Sequence, residues 1–326
     1  MKIVFSFFSC LNSSNPYYDN KDTLLDLLMV ASFSAKKSGF RTCLVHDEFF
    51  SLPSEYRNAF NEIKIISKQE IYNMKLPNIA GGAIGKLICL KSINEPFIYL
   101  NPGVILYKDN IKKVIKGNPD CCFVYHEITP GFNKNLKEAI TVQSKILGLD
   151  ILKVVQHEVF RYTHIIGGND YKLINNASDR LLQFIINNGD YLQKEILQNK
   201  SHYEKSISEH LIDLDSIIDN YWLPSYLSSE NGSKGVSNLI KLEDKLNTLI
   251  KNIPTEAKVG TEINNMNPAE ISSATSSLRQ TVAVRIFNYK TGILFLPPLS
   301  TEEDTEKLKK IKHHQMSNAK SLSRSI

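Results

Sequence analysis

The sequence predicts an α/β fold in which a mostly parallel sheet is flanked by helices. Two observations carry that expectation. Runs of β-branched and aromatic residues alternate with helical segments along the chain, the pattern that joins parallel strands through helical crossovers. Phe97-Ile98-Tyr99-Leu100 is apolar at every position, as a strand covered on both faces must be.

Residues 3–8 open as a buried strand, and the polar residues 12–20 form a loop after it. Asp22 caps a helix whose apolar face is Leu24, Leu25, Leu28, Val30 and Ala31. Lys36, Lys37 and then Gly39 mark its end, since cations favour a helix C-terminus and glycine the left-handed turn beyond it. Residues 41–45 make a second strand ending in His46-Asp47-Glu48, and residues 63–66 a third. A helix over 83–92 leads into the strand at 97–100. Asn101-Pro102-Gly103 then forces a turn, because proline fixes φ and glycine reaches angles closed to other residues. Extended structure resumes over 104–107. Residues 121–125 form a strand ending in His126-Glu127, and 159–166 another that closes on Gly167-Gly168-Asn169-Asp170. Leu173, Ile174, Ala177, Leu181, Leu182 and Ile185 then recur at helical spacing.

This alternation spans residues 1–230, the expected main domain. An appendage is expected over 231–299. Its parts are an amphipathic helix at 237–253, a polar linker at 255–280, and a β-hairpin from 282–286 and 293–296. Residues 300–326 form a flexible tail without apolar periodicity.

Composition removes several function classes. The 326 residues carry a formal charge of +5 with 42% hydrophobic residues, which excludes disorder as the main state and leaves no nucleic-acid footprint. Five cysteines, an odd number without zinc-like spacing, argue against a disulfide framework. No run approaches the roughly 18 consecutive apolar residues of a transmembrane segment. Ser6 and Ser9 interrupt the first apolar run and no small-residue cleavage site follows, so it is expected to be a strand, not a Sec signal peptide.

Gly81-Gly82-Ala83-Ile84-Gly85-Lys86 has the residue types of a phosphate loop. The glycine spacing is one residue short, and Leu87 stands where a magnesium-binding Ser or Thr belongs, which argues against a nucleotide-hydrolase loop. Lys86 is left as a basic group at a helix start, either near an anionic ligand or facing solvent. Asp47 ends a strand, where open parallel sheets bind ligands and a carboxylate meets a ribose or a base; an ordinary loop carboxylate is the alternative. His126 and Glu127 end another strand, as catalytic groups or as an exposed polar turn.

The run Phe97-Ile98-Tyr99-Leu100-Asn101-Pro102-Gly103-Val104-Ile105-Leu106-Tyr107-Lys108 resembles the strand and turn of GT-A glycosyltransferases. There an apolar strand enters an Asp-x-Asp signature and a second apolar run follows. Lys86 and Leu90 stand where the family's helix precedes that strand. His164-Ile165-Ile166-Gly167-Gly168-Asn169-Asp170 is similar to an Asn-x-Gly-x-x-Gly-Gly segment of a bacterial glycosyltransferase-like subgroup. Residues 3–8, Ala35-Lys36-Lys37-Ser38-Gly39-Phe40 and Leu44-Val45-His46-Asp47 fit the same scheme.

The resemblance implies a GT-A-like domain that binds a nucleotide-sugar donor, a UDP- or GDP-sugar, and transfers the sugar to a protein or glycan acceptor. It places Ser6, Asp47, Lys86, Asn101 and Gly103 around the nucleotide and Gly167 and Gly168 at the donor sugar. Asp47 would bond ribose or base, Lys86 would offset diphosphate charge, and Asp170 or Glu127 would be the base. The sequence departs from the family at one point. Asn101 and Gly103 replace the two aspartates that hold a divalent metal, so no metal is expected at this motif. Three outcomes stay open: a metal-independent transferase using Lys or Arg, a site rebuilt from carboxylates such as Asp47 or Asp170, or an inactive scaffold acting by protein binding.

Glu302-Glu303-Asp304-Thr305-Glu306 and the Lys-containing, Ser-rich end resemble the C-terminal signals of bacterial effectors delivered by type IV systems. That implies a protein of the bacterial cytoplasm, translocated into a host cell to meet a host protein or glycan. Residues 300–326 would then be dispensable for folding. His313-His314 is too closely spaced for a helical metal pair.

Overall fold

The computed structural model describes residues 1–11, 21–77, 81–106, 121–124, 163–198, 215, 218–230, 236–238, 293–295, 306 and 308–310. The strands β1 (Lys2–Phe7), β2 (Arg41–Asp47), β3 (Glu62–Ile66) and β4 (Phe97–Leu100) come first, with β5 (Val104–Leu106) after them. They are followed by β6 (Cys121–Val124), β7 (Ile165–Gly168), β8 (Val236–Asn238) and β9 (Ile293–Phe295). One seven-stranded sheet has the order β3-β2-β1-β4-β7-β6-β8. β7 runs antiparallel to both of its neighbours and every other pairing in this sheet is parallel. β5 and β9 pair antiparallel as a separate small sheet.

The helices are α1 (Lys21–Lys37), α2 (Ser54–Arg57), α3 (Lys68–Met74), α4 (Gly82–Ser92), α5 (Tyr171–Asn187), α6 (Gly189–Gln198) and α7 (Leu223–Glu230). A π-helical turn, Ile218–Trp222, leads into α7. Successive strand residues point to opposite faces, and both faces are apolar. Ile3, Phe5, Phe7, Ile98, Leu100 and Ile165 pack with Leu24 and Leu28 of α1. Val4, Phe97, Tyr99 and Ile166 pack with Leu87 of α4, Leu181 of α5 and Trp222. The result is the expected α/β class, a mostly parallel sheet between helices.

Local sequence sets the element ends. Gly39 has φ 75°, its N–H donates to Lys36 O at 2.8 Å, and Phe40 N donates to Ala35 O at 3.0 Å, which together close α1 as a Schellman motif. The short helices α2 and α3 were not anticipated. α3 did carry a signal: Ser67 and Glu70 form a capping box, the Ser-x-x-Glu spacing visible in the sequence.

Four expectations change. Gly167 and Gly168 belong to β7 and do not follow it. Ser237, expected to open a helix, lies in β8 at the sheet edge beside β6. Residues 293–295, expected in a hairpin with 282–286, pair with β5; residues 282–286 lie outside the described residues. Within the tail, Leu308 is 3% exposed and packs on Leu27 and Val30 of α1, beside Ile105.

The burial of Leu308 opposes a tail that folding can spare. Leu308→Ala is expected to lower stability by about 2–3 kcal/mol, the usual penalty for truncating a buried leucine. Urea denaturation reads this, and a loss below about 0.5 kcal/mol would mark a surface-like position and favour the dispensable tail.

Candidate functional site

The sheet order defines where a ligand fits. From β1 the chain moves outward to β2 and β3, then returns to place β4 on the other side of β1. The carboxyl ends of β1 and β4 therefore flank a topological switch point, the position at which open α/β sheets leave a crevice.

Asn101 follows β4 directly and stands at that switch point. Val104 N donates to Asn101 O at 3.2 Å and Gly103 has φ 85°, so Asn101-Pro102-Gly103-Val104 is a tight turn with glycine where a left-handed residue is required. The backbone of Asn101 also donates to His164 O at 2.8 Å, tying the rim of β4 to the residue before β7. Its side-chain Nδ2 lies 3.1 Å from His164 Nδ1 and 3.5 Å from Asp219 Oδ2. Asn101 Oδ1 is buried and has no hydrogen-bond partner among the described residues. Beneath the rim, the hydroxyls of Ser6 and Tyr99 meet at 2.8 Å and join β1 to β4.

Lys86 sits one turn into α4 and is 3% exposed, so it neither faces solvent nor reaches into open space. Its Nζ donates to Thr163 O at 2.5 Å and Thr163 Oγ1 at 2.7 Å, and pairs with Asp219 Oδ1 at 2.6 Å. Three partners match the three protons of an ammonium group. The Nζ also lies 5.1 Å from the Tyr99 ring centroid. Burial pulls the Lys86 pKa down, and the Asp219 carboxylate opposes that pull. The direct diphosphate contact expected of Lys86 therefore meets an ammonium whose three protons are taken by Thr163 and Asp219.

Of the glycines before Lys86, Gly85 has a packing reason. A Cβ on Gly85 would come within 2.9 Å of Phe8 Cδ2, so glycine lets α4 close onto the end of β1. Gly82 N donates to Asp215 Oδ2 at 3.0 Å, which places a carboxylate at the start of α4.

Asp47 ends β2 on the same rim and is fully buried. It binds the chain just after β1: Ser9 N and Ser9 Oγ donate to its carboxylate, with Cys10 N at 3.2 Å and Phe49 N at 2.9 Å. Its carboxylate orders residues 9–10 beside the switch point. Burial and then the Asp47 charge push the Cys10 thiol up to about 12, so it stays protonated and unreactive near neutral pH.

Strand direction separates the remaining expected residues from this rim. Gly167 pairs with Ile98 and Gly168 with Phe97, at the amino end of β4, because β7 runs antiparallel. They cannot meet a donor sugar lying beside Asn101. Asp170, placed just beyond them, caps α5 by accepting from Leu173 N at 3.2 Å, so it is not the base of a reaction at the other end of the sheet. Glu127 and His126 lie outside the described residues. The described side chains that gather around Asn101 are instead those of His164 and Asp219, with Thr163 bonded to Asp219.

No family model matches the chain, and no curated protein is similar to it in sequence. Among solved structures it is similar to the apo form of mouse xyloside xylosyltransferase 1, with a TM-score of 0.34, 10% identity, and coverage of 73% of this chain and 84% of that one. It is also similar to the glycosyltransferase GlyE of Streptococcus pneumoniae TIGR4, with a TM-score of 0.31 and 13% identity over 92% of this chain. This chain spans 65% of that second structure.

The divalent metal that an Asp-x-Asp motif holds does not fit these residues. Asn101 presents an amide, Gly103 has no side chain, and Asp219 Oδ1 is engaged by Lys86 and Thr163. Among the described residues no group of three His, Cys, Asp or Glu side chains can hold a metal. No helix among them is long and apolar enough to cross a membrane.

His164 makes the rim sensitive to acid. Burial pushes its imidazole down to about 4; the Asp219 charge opposes this and the Lys86 charge adds to it. Between about pH 6.5 and 4 the unfolded chain takes up a proton that the folded site refuses, so stability falls as pH falls through that window. The loss is expected to reach about 3 kcal/mol near pH 4. Urea midpoints at pH 7 and pH 4.5 measure it, and His164→Gln is expected to flatten this part of the profile.

Proposed function

We propose that this chain is a GT-A-like protein that binds a UDP- or GDP-sugar at the crevice between the carboxyl ends of β1 and β4 and transfers the sugar to a protein or glycan acceptor. The observation that carries this reading is Asn101 at the topological switch point, at the position in the apolar strand-and-turn run where a donor-binding signature belongs. Its Oδ1, without a hydrogen-bond partner among the described residues, is the acceptor offered to a ligand hydroxyl or N–H. Asp219 accepts a donor hydroxyl through Oδ2 while Lys86 and Thr163 fix Oδ1. Asp47 shapes the residue 9–10 backbone against the nucleotide. The proposed acceptor is a protein or glycan, and a host molecule if the tail acts as a delivery signal.

The second reading is a non-catalytic binding scaffold. It is favoured by the internal neutralisation of Lys86 by Asp219, which leaves little net charge aimed at a diphosphate. One experiment separates the two. Full-length protein is mixed with UDP- and GDP-sugars, and both thermal shift and donor hydrolysis are followed. Transfer predicts a shift and turnover with at least one donor, and Asn101→Leu removes both. A shift without turnover supports the scaffold, and no shift with any donor ends the nucleotide-sugar reading.

A further inference from the structure

We infer that the Asn101 amide stands in for a cation at the switch point, and that a carboxylate in its place opens a divalent-cation site with His164 and Asp219. Two electron-rich atoms, His164 Nδ1 and Asp219 Oδ2, both lie against the Asn101 Nδ2 group, at 3.1 and 3.5 Å. Converging lone pairs are stabilised by a metal ion or by N–H donors, and this chain supplies the N–H donors.

The orientation of the amide follows from the same atoms. An ionised carboxylate only accepts hydrogen bonds, so turning Asn101 Oδ1 toward Asp219 would set two acceptors against each other. The Nδ2 protons therefore point at Asp219 and His164, and Oδ1 is left without a partner among the described residues. His164 then accepts on Nδ1 as a neutral ring, the form that burial favours.

The neighbouring charge has been settled in the same way. Asp219 Oδ1 is paired with the Lys86 ammonium and accepts from Thr163 Oγ1 at 2.7 Å. Lys86 and the Asn101 amide together do what a cation does elsewhere, which is to neutralise Asp219 and fix its direction. The wild-type chain consequently needs no divalent ion to order this rim. A carboxylate at position 101 adds the one oxygen ligand that the pair of His164 and Asp219 lacks.

Manganese alone is the probe, so the test does not depend on any donor and its failure is distinct from failure of the nucleotide-sugar reading. Isothermal titration and manganese electron paramagnetic resonance are run on the full-length wild type, Asn101→Asp, Asp219→Asn and the Asn101→Asp/Asp219→Asn double variant. The expected result is no binding by the wild type, a gain of about tenfold or more for the single variant, and loss of that gain in the double. Because the single variant sets two carboxylates together, its melting temperature is expected to fall in EDTA and to recover in manganese. If that variant is unfolded in both conditions, Asn101→His with zinc as the probe takes its place, with the same expectation. Manganese binding by the wild type that Asp219→Asn removes would overturn the inference. A folded position-101 variant that gains no affinity for its probe would do the same.

Discussion

Gly167→Ala is expected to prevent folding or to lower stability by more than about 4 kcal/mol. A Cβ built on Gly167 lies 2.2 Å from Phe97 O and 2.5 Å from Ile98 Cα, and both are backbone atoms of β4. Backbone in the centre of a paired sheet cannot step aside as a side chain can. Relief would have to come from separating β4 and β7, which breaks the pairing from Phe97↔Gly168 to Leu100↔Ile165. Gly85→Ala is the control, since its closest contact, Phe8 Cδ2 at 2.9 Å, belongs to a ring that can shift. That change is expected to lower stability by about 1–3 kcal/mol, the range for a moderately overpacked core. Soluble yield and urea denaturation of both variants decide the matter. A Gly167→Ala protein within about 1 kcal/mol of wild type would show that β7 does not approach β4 this closely.

The same strand shows how far sequence reasoning reached. The apolar runs at residues 3–8, 41–45 and 97–100, the glycine end of α1 and the turn at Asn101-Pro102-Gly103 were legible because each depends on local periodicity or backbone freedom. Strand direction was not. His164-Ile165-Ile166-Gly167-Gly168 looks alike whichever way it runs, and reversing β7 moves the two glycines from the ligand end of the sheet to the opposite end. The sequence offers Lys86 as a basic group near a ligand or facing solvent; the structure buries it against Thr163 and Asp219, which are far away in sequence and have no local signature. Asp215 and Asp219 stand close together in sequence, and only tertiary contacts tell them apart: Asp215 accepts from Gly82 N at the start of α4, while Asp219 in the π-helical turn meets Lys86 and Thr163. A π-helical turn at a candidate site is a recurrent mark of function, but hydrophobic periodicity does not reveal it.

Lys86→Met is expected to lower stability by about 3–5 kcal/mol, more than its lost methylene packing explains, because it leaves Asp219 charged and half of a buried pair. The side chain of Asp219 is 14% exposed, so water can compensate only a little. Thr163 loses its ammonium donor at the same time. Replacing both charges, as Lys86→Met/Asp219→Leu, is expected to recover most of that stability, since an apolar pair of similar volume removes the unpaired charge along with its partner. Donor binding is expected to respond differently. If Asp219 contacts the donor and Lys86 only positions it, the single variant weakens the thermal shift with a nucleotide sugar and the double variant abolishes it despite its recovered fold. A double-mutant cycle in urea, run beside the donor titration, reads both quantities on the same proteins. Stability and binding that recover together in the double variant would assign the ion pair to architecture alone; stability that recovers without binding makes Asp219 a ligand-binding residue.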